Sequence, residues 1–61
     1  MRAKYKLVLQ NRDGSRKEEW HADLPYAKRS ADLYCGEEDR KWIGIYCCTE
    51  QGETLLEEFC L

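Results

Sequence analysis

The chain has 61 residues, of which 36% are charged and 43% are hydrophobic, and its formal net charge is −2. This length allows one domain, residues 1–61. A chain with a net negative charge lacks the positive electrostatic field that a sequence-independent nucleic-acid binder needs. No apolar run approaches the roughly 18 residues of a membrane-spanning helix, and Leu7–Leu9 is too short for a signal peptide. We therefore expect a cytoplasmic protein with reduced thiols and no membrane contact.

A β-hairpin is predicted at the start of the chain. Residues 4–10 alternate between apolar and polar side chains, which is typical of a half-buried strand. The dipeptide Asp13-Gly14 that follows is typical of a two-residue type I′ turn. With these two residues as the loop, Trp20 lies opposite Leu7 on one face of the hairpin, and His21 points to the other face.

A helix is predicted next, with Asp23 as its N-cap and Pro25 in its first turn. Apolar residues recur at helical spacing through this segment, at Leu24, Ala27, Ala31, Tyr34 and Cys35. Two of them, Ala27 and Ala31, are small enough to let the helix axis approach a sheet closely. Gly36 is expected to end the helix.

The central strand of the sheet is predicted at residues 42–48, after a solvated, charged loop at residues 37–41. The run reads WIGIYCC and is apolar on both faces of a strand, which indicates that both faces are covered. Its β-branched and aromatic residues favour a strand over a helix.

The last segment, residues 54–61, has two interpretations. As a helix it begins with a capping box at residues 54–57. As a strand after a Gln51-Gly52 turn, it places Phe59 across from Gly44, and an aromatic ring over a strand glycine is stabilising. We favour the strand because an isolated helix this short is only marginally stable.

Together these elements predict an α+β fold of the β-hairpin–helix–β-hairpin (ββαββ) type. The strands form a four-stranded antiparallel sheet of order 2-1-3-4, with the helix packed on one face. The predicted helix-side residues are Tyr5, Leu7, Leu9, Trp20, Ala22, Ile43, Ile45, Cys47 and Leu56. The opposite face is predicted to carry a binding surface made of Val8, His21, Trp42, Tyr46, Cys48, Leu55 and Phe59.

Catalytic and metal chemistry have little support in the pattern. The four cysteines lack the C-x₂-C spacing of zinc knuckles, and the adjacent Cys47 and Cys48 point to opposite faces of a strand. His21 and Cys48, a candidate nucleophilic pair, lie on strands that another strand separates. No glycine-rich phosphate loop is present. We expect four free thiols, no metal, no cofactor and no enzymatic activity.

The face away from the helix leads to two functional hypotheses. Aromatic side chains are enriched at the centre of protein interfaces, and Glu19 and Glu57 on the predicted face would repel phosphate. We therefore favour a small protein-binding module, a regulator or inhibitor of a type that phages also encode, which forms a homodimer through this face. The alternative is a single-stranded nucleic-acid-binding protein that stacks bases on the same aromatics.

Overall fold

The computed structural model describes residues 4–60. It consists of two β-hairpins joined by a helix. The elements are β1 (Lys4–Asn11), β2 (Arg16–His21), α1 (Leu24–Cys35), β3 (Arg40–Thr49) and β4 (Gly52–Phe59). One antiparallel sheet of order β2-β1-β3-β4 carries α1 on one face. The predicted fold class and strand order are confirmed. Residues 1–3 and 61, which the predicted domain includes, lie outside the described part of the chain.

The strand predicted at residues 42–48 lies in the interior of the sheet, as β3. It pairs with β1 on one side and with β4 on the other. Ile43, Gly44 and Ile45 are buried, as the apolarity of both faces predicts. The last segment is a strand rather than a helix, so the favoured interpretation of this segment is confirmed.

The core lies between α1 and the sheet. Ala27 and Ala31 are completely buried, which confirms that the helix presents its small side chains to the strands. The buried cluster consists of Leu7, Leu9, Ala27, Ala31, Ile43 and Ile45. Helix α1 begins after Asp23 with Pro25 in its first turn, as predicted. It ends before Gly36, whose φ of −77° is right-handed, so the conformational freedom of glycine is not used there.

The first hairpin has a three-residue loop instead of the predicted two-residue loop. The amide of Asn11 donates to the carbonyl of Ser15 at 2.9 Å, which leaves residues 12–14 as the loop. The amide of Gly14 donates to the carbonyl of Asn11 at 3.1 Å, and its φ is +94°. A tight turn followed by a left-handed glycine is the usual three-residue connection of a hairpin.

The longer loop shifts the pairing of β2 by one residue and therefore reverses its faces. Trp20 lies opposite Lys6, on the face away from α1, whereas it was predicted on the helix side. His21 lies opposite Tyr5, on the helix side, so its predicted place in the binding surface is wrong. Glu19 also faces the helix, where its carboxylate accepts a hydrogen bond from the Tyr34 hydroxyl at 2.8 Å.

The second hairpin also differs from the predicted register. Thr49 lies opposite Gly52, so the two-residue turn consists of Glu50 and Gln51 and is shifted by one position from the predicted Gln51-Gly52 turn. A β-bulge also interrupts the pairing next to Tyr46. The bulge inserts Leu56 as an extra residue in β4, because Leu55 lies opposite Tyr46 while Glu57 lies opposite Ile45.

Phe59 is displaced from its predicted position by these changes. It lies opposite Ile43, on the helix side, and packs against the core. The prediction that Phe59 covers Gly44 from the other face is wrong, and Glu58 lies opposite Gly44 instead. Leu55 keeps its predicted face.

A disulfide joins Cys35, at the end of α1, to Cys60, which directly follows β4. The prediction of four free thiols is therefore wrong, and two free cysteines, Cys47 and Cys48, are found among residues 4–60. The reason is topological, because α1 and β4 both end at the same corner of the core. The two cysteines are 25 residues apart in the sequence, so no local pattern indicates that they are close in space.

Candidate protein-binding interface

The sheet face that points away from α1, hereafter the open face, has one row of side chains that crosses all four strands. Cross-strand pairing aligns Trp20 of β2, Lys6 of β1, Tyr46 of β3 and Leu55 of β4. We call these four residues the central row. Its two ends are exposed, since Trp20 is 55% and Leu55 is 41% accessible to solvent, whereas Lys6 is only 8% accessible.

Lys6 is the buried cation at the middle of the central row. Its Nζ lies 5.5 Å from the centre of the Tyr46 ring and 6.0 Å from that of Trp20. Its ammonium donates to Oε2 of Glu53 at 2.6 Å. This hydrogen bond raises the pKa of Lys6 and lowers the pKa of Glu53. The lysine is therefore fully charged at neutral pH, and its charge already has a partner.

The side chain of Trp42 covers the part of the open face next to the central row. The outer edge of its six-membered ring lies over Gly44, in the space that a Cβ at this position would occupy. The indole Nε1 donates to Oε1 of Glu58 at 2.9 Å, and the ring meets Tyr46 edge to face, with centroids 6.5 Å apart. Val8, which lies opposite Gly44, is 1% accessible. Trp42 therefore takes the covering role that the sequence assigned to Phe59.

Replacing Gly44 with alanine should expel the indole of Trp42. The new methyl group would overlap the ring, so we expect loss of the bond to Glu58 and a stability lower by about 1 kcal/mol. The measurement is the Trp42 Nε1–H resonance in NMR spectra, together with urea denaturation. Gly36→Ala is the matched control, because its Cβ would meet one atom at an ordinary 3.5 Å. An unchanged indole resonance in Gly44→Ala would contradict this packing.

Positive and negative charges on the open face are equal in number. The basic side chains are Lys4, Lys6 and Arg16, and the acidic ones are Glu18, Glu53 and Glu58. Arg16 and Glu18 form an ion pair at the β2 edge, with 3.5 Å between Nη2 and Oε2. The acidic residues differ from those predicted, since Glu19 and Glu57 face the helix. A face with no excess of basic groups has no net attraction for phosphate.

Cys48 lies on the open face, next to Lys4 on one side and Glu53 on the other. Burial is the main cause that raises the pKa of the Cys48 thiol, and the negative charge of Glu53 adds to it. The protonated thiol is a poor nucleophile. His21 is on the opposite face, so the two residues cannot form a catalytic pair. Within residues 4–60, no group of three or more His, Cys, Asp or Glu is arranged to hold a metal ion.

Five of the seven predicted surface residues lie together on the open face: Val8, Trp42, Tyr46, Cys48 and Leu55. Phe59 and His21 face the helix instead. Sequence reasoning missed Trp20, the most exposed aromatic of this face. The signal that could have found it is the spacing of Asn11 and Gly14, which fits the first and fourth positions of a type I turn.

Comparison with known proteins places the chain in no family. No protein-family model, curated protein or solved structure matches it. In the described range, 4–60, no helix is long and apolar enough to cross a membrane. The structure thus defines a small ββαββ domain, and the open face is its candidate for function.

Proposed function

We propose that this chain is a non-enzymatic protein-binding module whose binding surface is the open face. The observation that supports this proposal is the central row. It presents an exposed apolar side chain at each end, Trp20 and Leu55, and an aromatic ring, Tyr46, between them. Aromatic residues at the centre of a patch are the usual anchors of protein interfaces.

The arrangement of charge also favours a protein partner over nucleic acid. Single-stranded nucleic acids require free cations to bind phosphates beside the stacking rings. On the open face the ammonium of Lys6 is bound to Glu53, and the indole N–H of Trp42 is bound to Glu58. Both carboxylates lie on the edge strand β4, where a polar rim of a protein interface would be expected.

A photo-crosslinking experiment tests the proposal directly. Benzoylphenylalanine in place of Trp20 should give covalent adducts with protein in cell extract, and excess parent chain should compete for them. The control carries the same photoprobe in place of Leu33, which is on α1 and 72% accessible. We expect competed adducts from position 20 only. Equal adducts from both positions, or none from position 20, would contradict a specific surface.

The nucleic-acid alternative has its own readout. Oligothymidine should leave the tryptophan fluorescence unchanged at both low and physiological salt if the open face binds protein. Saturable quenching that weakens steeply as salt rises would instead show phosphate binding by this face. The variant Tyr46→Ala would then identify whether base stacking on the central row carries that binding.

A further inference from the structure

We propose that the partner of the open face is a second copy of this chain, packed face to face about a two-fold axis. The axis runs parallel to the strands and lies between β1 and β3, the two inner strands of the sheet. This inference rests on the proposed function and identifies the partner. Face-to-face packing of two sheets with nearly aligned strands is a standard way to bury two apolar faces.

The central row is self-complementary about this axis. Trp20 and Leu55 stand at its two ends, on the edge strands β2 and β4, at equal distances from the axis. The two-fold rotation therefore places Trp20 of each copy over Leu55 of the other copy. It also places the aliphatic stem of Lys6 over the Tyr46 ring of the second copy. An isologous contact of this kind buries both exposed ends twice.

The charges of the two faces offset each other under the same rotation. Glu18 at the β2 edge and Glu58 at the β4 edge lie in one row with Val8 and Gly44, so the axis brings these two carboxylates of different copies together. Arg16, which is paired with Glu18 at 3.5 Å in its own copy, supplies the positive charge beside them. Because the three positive and three negative groups of the open face balance, the contact as a whole carries no net charge.

The size of the face agrees with a weak dimer. Four strands about 4.8 Å apart and four rows about 6.8 Å apart give each copy a projected face of about 500 Å². Two such faces bury on the order of 1,000 Å² in projection, near the lower limit for specific interfaces. We therefore expect a reversible dimer whose dissociation constant is in the micromolar range or above.

Charge-swap variants test both the partner and the axis. Trp20→Glu and Leu55→Lys should each weaken self-association about tenfold or more, because a charge then faces an apolar side chain. An equimolar mixture should recover a dimer, since Glu at position 20 of one variant then faces Lys at position 55 of the other. The measurement is sedimentation equilibrium from about 5 μM to about 1 mM. Both positions are solvent-exposed, so melting of dilute samples verifies that each variant folds.

The control is Leu33→Lys on the outer face of α1, which should leave the dimerisation constant unchanged. A parent chain that stays monomeric at about 1 mM would overturn the second copy as partner, while crosslinking at position 20 would still test protein binding. Self-association that Leu33→Lys alone abolishes would assign the dimer to the helix. Monomeric single variants that do not recover on mixing would overturn the proposed axis.

Discussion

Removing the disulfide between Cys35 and Cys60 should lower the free energy of unfolding by about 3.5 kcal/mol. The bond closes a loop with a sequence separation of 25 residues, and the chain-entropy relation for a loop of this length gives this value. A domain of 61 residues has a total stability of roughly 3–9 kcal/mol. The bond therefore contributes between about a third and all of it, and the melting temperature should fall by on the order of 20 °C.

The double variant Cys35→Ala/Cys60→Ala gives the measurement, by urea and thermal denaturation under non-oxidising conditions. The parent should lose the same stability on addition of reductant, whereas the double variant should not respond. Cys48→Ser is the control, because Cys48 is free and the variant keeps the bond. Four titratable thiols in protein recovered from cells without reductant would contradict the bond. Two thiols would instead contradict the predicted cytoplasmic location, since such bonds persist in oxidising compartments.

The fold could be predicted because alternation and connection rules act on whole elements. The odd-numbered residues Tyr5, Leu7 and Leu9 of β1 determine its helix-side face without reference to any loop. The continuous apolar run of β3 places it inside the sheet. A helix between the two hairpins then returns the chain so that β3 lies beside β1, which leaves few alternatives for the strand order.

The register of β2 could not be predicted with equal certainty because its own pattern is weak. Its sequence, RKEEWH, has one large apolar residue, so only the loop length decides which face Trp20 takes. Glu19 breaks the apolar pattern on the helix side, but its carboxylate accepts a hydrogen bond from the Tyr34 hydroxyl. That hydrogen bond raises the pKa of Tyr34. The same bond provides the Glu19 carboxylate with a partner on the helix side. The two residues are 15 positions apart in the sequence, so no local pattern indicates this contact.

The bulge in β4 is another feature that the sequence pattern does not predict. The adjacent leucines Leu55 and Leu56 are accessible to a similar extent, 41% and 42%. A regular strand would have buried one of them on the helix side, and the extra residue at the bulge avoids this. Its physical consequence is that Phe59 lies opposite Ile43 and packs against the core, a position that Glu58 would take without the extra residue.

The open face is better covered in the single chain than its composition indicates. Lys6 and Val8 were predicted on an uncovered surface, yet they are 8% and 1% accessible. Long side chains explain the difference, because the indole of Trp42 extends along β3 onto Gly44 and the ammonium of Lys6 lies near two aromatic rings. The apolar surface that remains exposed on this face is concentrated at Trp20 and Leu55, the ends of the central row, so the proposed partner would have to reach both edges.

Arg40 is the residue whose role differs most from the sequence-based expectation. It belongs to the charged stretch 37–41, predicted as a solvated loop, but its side chain is only 7% exposed. Its Nη1 donates to Oδ1 of Asn11 at 2.6 Å, and its Nη2 donates to Oε1 of Glu37 at 2.7 Å. The guanidinium also lies 5.5 Å from the centre of the Tyr34 ring. Arg40 thus ties the end of β1, the end of α1 and the start of β3 together.

Arg40→Ala should therefore destabilise the chain by about 2–3 kcal/mol, the usual cost of losing hydrogen bonds that involve a charged group. Arg40→Lys should recover only part of this loss, because an ammonium lacks the planar fork that reaches two acceptors at once. Arg16→Ala is the matched control. Its guanidinium is 58% exposed and paired with Glu18, so we expect a change within about 0.5 kcal/mol. Urea denaturation of the three variants gives the comparison. Equal stabilities of Arg40→Ala and Arg16→Ala would show that the Arg40 contacts do not hold the hairpins together in solution.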